Sequence, residues 1–414
     1  MDTGVKQFVF PSKIGAGTRA LEHLPFDLAG FGAIRPLVIC TAEMDTRGGL
    51  KSLVSAFKGS GLTFGVYGMD GEASLETVRE VWGHYHDGGF DAVIAVGGGS
   101  LVDVAKCLAV AAEGGPDELR RLFNEGGAVT ATSPFAWVPT LGLTGREAAP
   151  EACIGVERLH GTALSPKLIA VDPRMLQRPG SPGLAEAGLG ALAAALCLYE
   201  SGEVNRLALP YARLTAQQMM VGLEPLLSPS LDRQSRLSRW VGMGGTREEE
   251  VAFVTAMAVS GGLLPEAQKS LTFVLADMLV PLSRCSREVL AAVLLPNVLE
   301  FAHRVRGDDL SDMLSALGGL DLLCSTPVPQ RTDAALARVR ENMNRLWLFS
   351  AGNLPRTLAE AGIEREALLG ICDAASAMTE GWQSHEVERL LLAAYNGVLP
   401  DLKSQPTRAT QEVS

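Results

Sequence analysis

The chain has 414 residues, of which 47% are hydrophobic and 20% charged, which suits a globular protein of two domains and argues against disorder. Its formal net charge of −11 repels a phosphate backbone and excludes nucleic acid as a probable class of partner. The start, Met1-Asp2-Thr3-Gly4, has neither the basic nor the apolar region of a secretory signal, and no apolar run reaches the ~18 residues of a membrane span; the expectation is a cytoplasmic protein.

The predicted elements alternate through the first third. Pro36 to Thr41 reads as a buried parallel strand, Gly49 to Lys58 as a helix, Leu62 to Tyr67 as a strand, and Ser74 to Asp87 as a helix opened by a serine cap. Ala92 to Val96 is a strand that runs into Gly97-Gly98-Gly99-Ser100, with a helix from Leu101 to Ala112; Phe135 to Pro139 and Lys167 to Val171 are further strands. Such alternation predicts a parallel sheet covered by helices on both faces. Pro179-Gly180-Ser181-Pro182-Gly183 marks a change, after which apolar residues recur at helical spacing, as in Ala185 to Tyr199, Tyr211 to Leu227, Glu248 to Gly261, Leu271 to Leu282 and Arg287 to Val305. The fold class expected is an α/β domain over residues 1–180 with a Rossmann-like parallel sheet, an all-α domain over 181–402, and a disordered tail over 403–414. The seven cysteines form no CxxC pair and read as reduced thiols among apolar neighbours.

The glycine run carries the chemistry. Glycines between a strand and a helix let the backbone approach a pyrophosphate, and the helix start aims N–H groups and a positive dipole end at it. Tight strand-to-helix turns without a ligand use glycine too, so the run alone does not decide. The wider pattern does more: Gly-Gly-Gly-Ser-Leu-Val-Asp-Val-Ala-Lys over residues 97–106 resembles the G-G-G-S-x-x-D-x-A-K signature of the iron-containing alcohol dehydrogenase family. In order along the chain, Phe10 to Gly17 resembles that family's opening hairpin, Pro139 to Glu147 its P-T-x-x-x-T-G-S-E, Val171-Asp172-Pro173 its strand-ending D-P, Val293 to Phe301 its L-L-P-x-V-x-x-F, and Asn353 to Leu358 its late L-P-x-x-L. The resemblance implies NAD or NADP as cofactor, held by Gly97, Gly98, Gly99, Ser100, Asp103, Thr140, Thr144 and Gly145, with Lys106 either at the cofactor or supporting its helix. It also implies a homodimer formed through the N-terminal segment. The family often has a carboxylate for the adenosine ribose where this chain has Ala42, which lessens the repulsion of a 2′-phosphate, although Glu43 is adjacent. The loop from Val156 to Pro166 is shorter than in the family and contains His160, read as a surface residue.

The family's metal ligands are an Asp and three His. Carried over, they fall on Gly190, Ala194, Phe273 and Arg287, with Asp277 at the second His of the H-x-x-x-H pair, and no His occurs between His160 and His303. Gly and Ala offer no donor, and Arg keeps its proton and repels a cation. The expectation is a metal-independent NAD(P)-dependent oxidoreductase acting on a small, anionic substrate, with Arg287 as the fixed cation and Asp277 as its orienting or acid–base partner. A salt bridge from Arg287 to Asp277 or Glu288 with no catalytic part is the plainer alternative for that residue. For the whole chain the alternatives are a non-redox lyase, isomerase or cyclase, and a nucleotide-binding pseudoenzyme.

Overall fold

In the computed structural model, residues 7–46, 48–70, 73–140, 143–155, 157–176, 182–200, 205–227, 248–350, 353–379 and 381–397 are described. Six strands form one parallel sheet: β1 (Lys13–Ala16), β2 (Pro36–Thr41), β3 (Gly65–Met69), β4 (Ala92–Gly97), β5 (Phe135–Pro139) and β8 (Leu168–Val171), in the order β1-β8-β5-β4-β2-β3. Strands β4, β5 and β8 are buried at every position, as expected of apolar runs covered on both faces. Period-two alternation sends Val38, Cys40, Ile94, Val96, Ala136 and Val138 into one core cluster with Leu21, Leu24, Leu28, Leu53 and Phe57.

The chain steps from β2 outward to β3, returns to β4 on the other side of β2, and then continues to β5 and β8. The direction of winding therefore reverses between β2 and β4. In an open parallel sheet the crevice at the carboxyl ends of those two strands is where a ligand binds.

Helix α1 (Leu24–Gly30), α2 (Ala42–Thr46), α3 (Lys51–Phe57), α4 (Leu75–Asp87) and α5 (Ser100–Glu125) link the strands. The Ser74 cap holds as expected: its hydroxyl accepts the Thr77 N–H at 3.0 Å. Asp172, fully buried after β8, accepts the Leu21 N–H at 3.2 Å and pairs with Arg174 at 2.7 Å, which fastens the start of the chain to the sheet.

Four expectations need correction. The opening hairpin is a single strand, β1, whose backbone groups pair in parallel with β8 rather than folding back on a neighbour. The strand expected over 62–67 lies at Gly65–Met69, where its register with β2 buries Met69. The helix expected to end at Ala112 continues only to a break at Gly115, whose φ of 80° and ψ of 171° are not helical, and a second helical segment follows from Pro116 to Glu125. The short loop from Val156 instead contributes β7 (Glu157–His160), antiparallel to β6 (Glu151–Ile154), with His160 exposed on it.

The remainder is helical: α6 (Pro182–Leu196), α7 (Leu209–Leu227), α8 (Glu248–Ala267), α9 (Leu271–Leu279), α10 (Arg287–Phe301), α11 (Met313–Ser325), α12 (Arg331–Phe349), α13 (Arg365–Leu369), α14 (Cys372–Met378) and α15 (Ser384–Asn396), with no strand after residue 182 among the described residues. The chain is thus an α/β sheet domain followed by helices. By contacts it divides into one compact unit of Met1–Ala195 with Asn205–Pro265 and another of Leu196–Val204 with Glu266–Ser414. The change from strand to helix near residue 180 does not coincide with that division, because α7 and most of α8 group with the sheet. Pro179, Gly180 and Ser181 and the tail over 403–414 lie outside the described residues. Among the described residues no helix is long and apolar enough to cross a membrane.

Candidate active site

The glycine turn leaves β4 at its carboxyl end, beside the point where the winding reverses. The Trp137 indole N–H on neighbouring β5 donates to the Gly97 carbonyl at 2.8 Å, which fixes the end of the strand. Gly99 is the cap residue of α5 with φ 61° and ψ −141°, a conformation that a side chain would strain, and Ser100 is the exposed first residue of the helix. The pairing of Gly97 with Pro139 sets half-buried Thr140 level with the turn.

A second loop closes on this turn. Thr144 and Gly145 follow β5, and Gly145 has φ 85° at a place where a Cβ would come within 2.9 Å of Met257 on α8. The two loops meet on the carboxylate of Glu147, which is 3% exposed. Its Oε1 accepts the Gly99 N–H at 2.8 Å, the Thr144 N–H at 2.7 Å and the Thr144 hydroxyl at 3.1 Å, and its Oε2 accepts the Gly145 N–H at 3.0 Å. Three of the residues expected at the cofactor, Gly99, Thr144 and Gly145, are therefore brought together by a residue to which the sequence reading gave no role. Its signal was present in the T-G-x-E spacing, which returns a carboxylate to the amides just before it.

Asp103 and Lys106 come four and seven residues after the Gly99 cap, and their spacing of three puts them on one face of α5. Asp103 accepts the Cys153 N–H of β6 at 3.2 Å. Burial pushes its carboxyl up to about 6, against the opposing pull of Lys106 and Arg146. Lys106 is fully enclosed, and its ammonium donates to the carbonyls of Arg146 at 3.4 Å, Ala149 at 2.8 Å and Glu151 at 2.7 Å. Burial lowers its pKa, while the charge of Asp103 raises it. Of the two roles open to Lys106, support of its helix against the 146–151 loop is the one these bonds describe.

Arg287 and Asp277 belong to the other compact unit. Ser286 caps α10 by accepting the Val289 N–H at 3.3 Å, and Arg287 is the first helical residue, 5% exposed. Its guanidinium lies 3.8 Å from Asp277 and 3.4 Å from Glu288, and over the Phe273 ring at 5.7 Å. Both carboxylates named as partners of Arg287 are thus present. In the same unit buried Glu200 accepts the Thr272 N–H at 3.3 Å and the Thr272 hydroxyl at the start of α9, and burial raises its carboxyl to about 8. Sequence gave no sign of Glu200, which lies 72 residues from its partner.

A parallel sheet with a glycine turn into a helix at the reversal of winding gives a Rossmann-like domain with a crevice at the carboxyl ends of β2 and β4. Residues 11–173 match the family profile described as iron-containing alcohol dehydrogenase. The chain is 27% identical over 371 residues to long-chain-alcohol dehydrogenase 1 of Geobacillus thermodenitrificans, covering 88% of each chain. It is 29% identical over 188 residues to 4-hydroxybutyrate dehydrogenase of Cupriavidus necator, covering 43% of this chain and 48% of that one. The iron-containing alcohol dehydrogenase structure from Thermococcus thioreducens superposes with a TM-score of 0.69 at 19% identity, over 94% of this chain and 100% of that one. Over residues 11–173 the chain is thus similar to the iron-containing alcohol dehydrogenase family, and the relatives it matches are named as dehydrogenases, which makes it an oxidoreductase.

The positions that correspond to the family's metal ligands carry other side chains in this protein. Gly190 and Ala194 are buried on α6, Phe273 is buried on α9, and Arg287 opens α10. None of the four supplies an oxygen, sulfur or imidazole donor, and the one charged group among them is a cation. These residues do not fit a divalent metal held at those positions.

Proposed function

We propose that the protein is a metal-independent, NAD(P)-dependent oxidoreductase that interconverts an alcohol and a carbonyl on a small substrate bearing an anionic group. The observation that carries this reading is the glycine turn at the reversal of winding, joined to the 144–147 loop by Glu147. When bound, a nicotinamide supplies or accepts the hydride. Gly97, Gly98, Gly99, Ser100, Asp103, Thr140, Thr144 and Gly145 line the cofactor. The first amides of α5, at Ser100 and Leu101, have no intrahelical carbonyl to meet and suit a pyrophosphate oxygen. Ala42, at the carboxyl end of β2, offers no carboxylate to the adenosine ribose, so both NAD and NADP enter the test.

Arg287 supplies the fixed positive charge for the substrate's anionic group or its reacting oxygen, and Asp277 orients the guanidinium. The relative from Cupriavidus necator is named for 4-hydroxybutyrate, an alcohol that carries a carboxylate, which supports an anionic substrate. The same reading carries a cytoplasmic homodimer.

The test titrates the protein with NADH and NADPH by calorimetry, then follows reduced-cofactor absorbance with 4-hydroxybutyrate and other short hydroxy acids in the presence of a chelator. Binding of one dinucleotide and turnover insensitive to the chelator are expected. Absence of binding to either dinucleotide removes the reading. Turnover abolished by the chelator and restored by a divalent metal removes its metal-independent part.

A further inference from the structure

We infer that Glu147 is a positioning residue for the dinucleotide: its carboxylate is the internal anion that holds the glycine turn and the 144–145 loop in their cofactor-binding shape. The inference rests on the dinucleotide reading above and deepens it by naming what sets the geometry of that site.

The physical basis is the direction of four hydrogen bonds. Gly99 N–H belongs to the turn, whereas Thr144 N–H, Thr144 Oγ1–H and Gly145 N–H belong to the loop after β5, 45 and more residues further along the chain. Amides at the start of a helix and in a tight loop of this kind repel one another when they converge on one point. A buried carboxylate reverses that repulsion and joins them. Gly99 holds a positive φ and Gly145 another, so neither loop is stiffened by a side chain of its own there. Lys106 holds the far end of the same loop through the carbonyls of Arg146, Ala149 and Glu151. The loop is thus fixed to α5 at two places by side chains of opposite charge. One fastening joins it to the turn, and the other joins it to the body of the helix.

An alternative use of the same bonds is competitive: a carboxylate on these amides could keep a phosphate away. The two uses predict opposite signs. Burial of Glu147 to 3% exposure favours a fixed floor over a side chain displaced at the surface.

The test compares wild type with Glu147→Gln and Glu147→Ala, using the full chain and the dinucleotide that wild type binds. In Glu147→Gln one oxygen keeps the three donors at Gly99 and Thr144, while the new NH2 meets the Gly145 N–H donor to donor. A rise in Kd of roughly tenfold is expected there, and roughly a hundredfold in Glu147→Ala, where both loops lose their anchor. Hydrogen exchange followed by mass spectrometry on the unliganded proteins supplies the second readout. Peptides that contain Gly99, Thr144 and Gly145 exchange faster in the variants, while the rest of α5 is unchanged. Equal or tighter dinucleotide binding in either variant overturns the inference, as does faster exchange spread through the whole sheet. A wild-type protein that binds no dinucleotide fails the function reading instead, and the exchange data then still report whether Glu147 joins the two loops.

Discussion

Two helix starts in this chain are met by charge in opposite ways. The start of α5 carries the positive end of the helix that runs from Ser100 to the break at Gly115, and the group placed on its cap amide is the Glu147 carboxylate. That arrangement follows the dipole, since an anion there is favoured by ~0.3–1 kcal/mol even when exposed. The start of α10 carries the same sign of dipole, but its first residue is buried Arg287. A cation there opposes the dipole and needs compensation, which Asp277 and Glu288 supply, with the Phe273 ring beneath the guanidinium. The first arrangement combines a favourable dipole with four hydrogen bonds to the buried carboxylate. The second is held by its neighbours, as the role proposed for Arg287 requires.

The sharpest way to break that contrast is Arg287→Met, which keeps the volume and removes the charge. Removing one partner of a buried pair leaves the other charge, here Glu288, uncompensated and costs roughly 3–5 kcal/mol of stability. Loss of a fixed cation from a transition state costs, in addition, roughly a hundredfold to a thousandfold in kcat. The expected result is a lowered melting temperature and, well below it, a folded protein with kcat/KM down by about that hundredfold to thousandfold factor. Arg287→Lys, which retains a charge but loses the planar fork, falls between the two. A methionine variant with full turnover leaves Arg287 as a salt-bridge residue only, and the contrast between the two helix starts then says nothing about function.

How much of this was legible in the sequence follows the same division. Strands β2, β4, β5 and β8 were readable because continuous apolar runs have few other fates, and the glycine turn was readable because its residues are adjacent. The partner of β1 was not, since its pairing with β8 joins residues more than 150 apart and no local pattern encodes it. Helix periodicity located α7 and α8, but it shows which face is apolar and not which element covers it. This is why their grouping with the sheet was missed. The same limit hid the roles of Glu147 and Glu200. Each is a carboxylate whose meaning comes from amides that the fold brings to it. Arg287 and its carboxylates were legible because Glu288 is its neighbour in sequence and Asp277 shares the motif frame.

Glu200 extends the contrast, because it too is a carboxylate at a helix start, but one that burial keeps protonated. Its folded pKa of about 8 lies above the ordinary 4.5. Between those two values the folded protein holds a proton that the unfolded chain releases, so this group's contribution to stability is fully present below pH ~4.5 and is lost as pH rises toward about 8. Glu200→Gln mimics the neutral form. Denaturant unfolding across this range is expected to show wild type losing stability relative to the variant as pH rises, at up to ~1.4 kcal/mol per pH unit. Asp103, raised to about 6, has the same sign and cancels in the difference. A difference between the two proteins that does not change with pH would mean that Glu200 is ionised in the fold.

The smallest effect tests the dipole argument itself. Ser286 caps α10 through a 3.3 Å bond to Val289, whereas Ser74 caps α4 through a 3.0 Å bond to Thr77. Bond length alone makes the Ser286 cap the weaker one, with each Ser→Ala change costing about 1 kcal/mol. However, the Ser286 oxygen also partly offsets the positive helix end on which Arg287 sits, so its removal exposes that cation to the full dipole. Ser286→Ala is therefore expected to cost at least as much as Ser74→Ala in wild type, and about 0.5 kcal/mol less once Arg287 is methionine. A double-mutant cycle on Ser286 and Arg287 by denaturant unfolding measures that coupling directly. Zero coupling would mean that Asp277 and Glu288 neutralise the guanidinium so fully that α10 begins, electrostatically, as any other helix does.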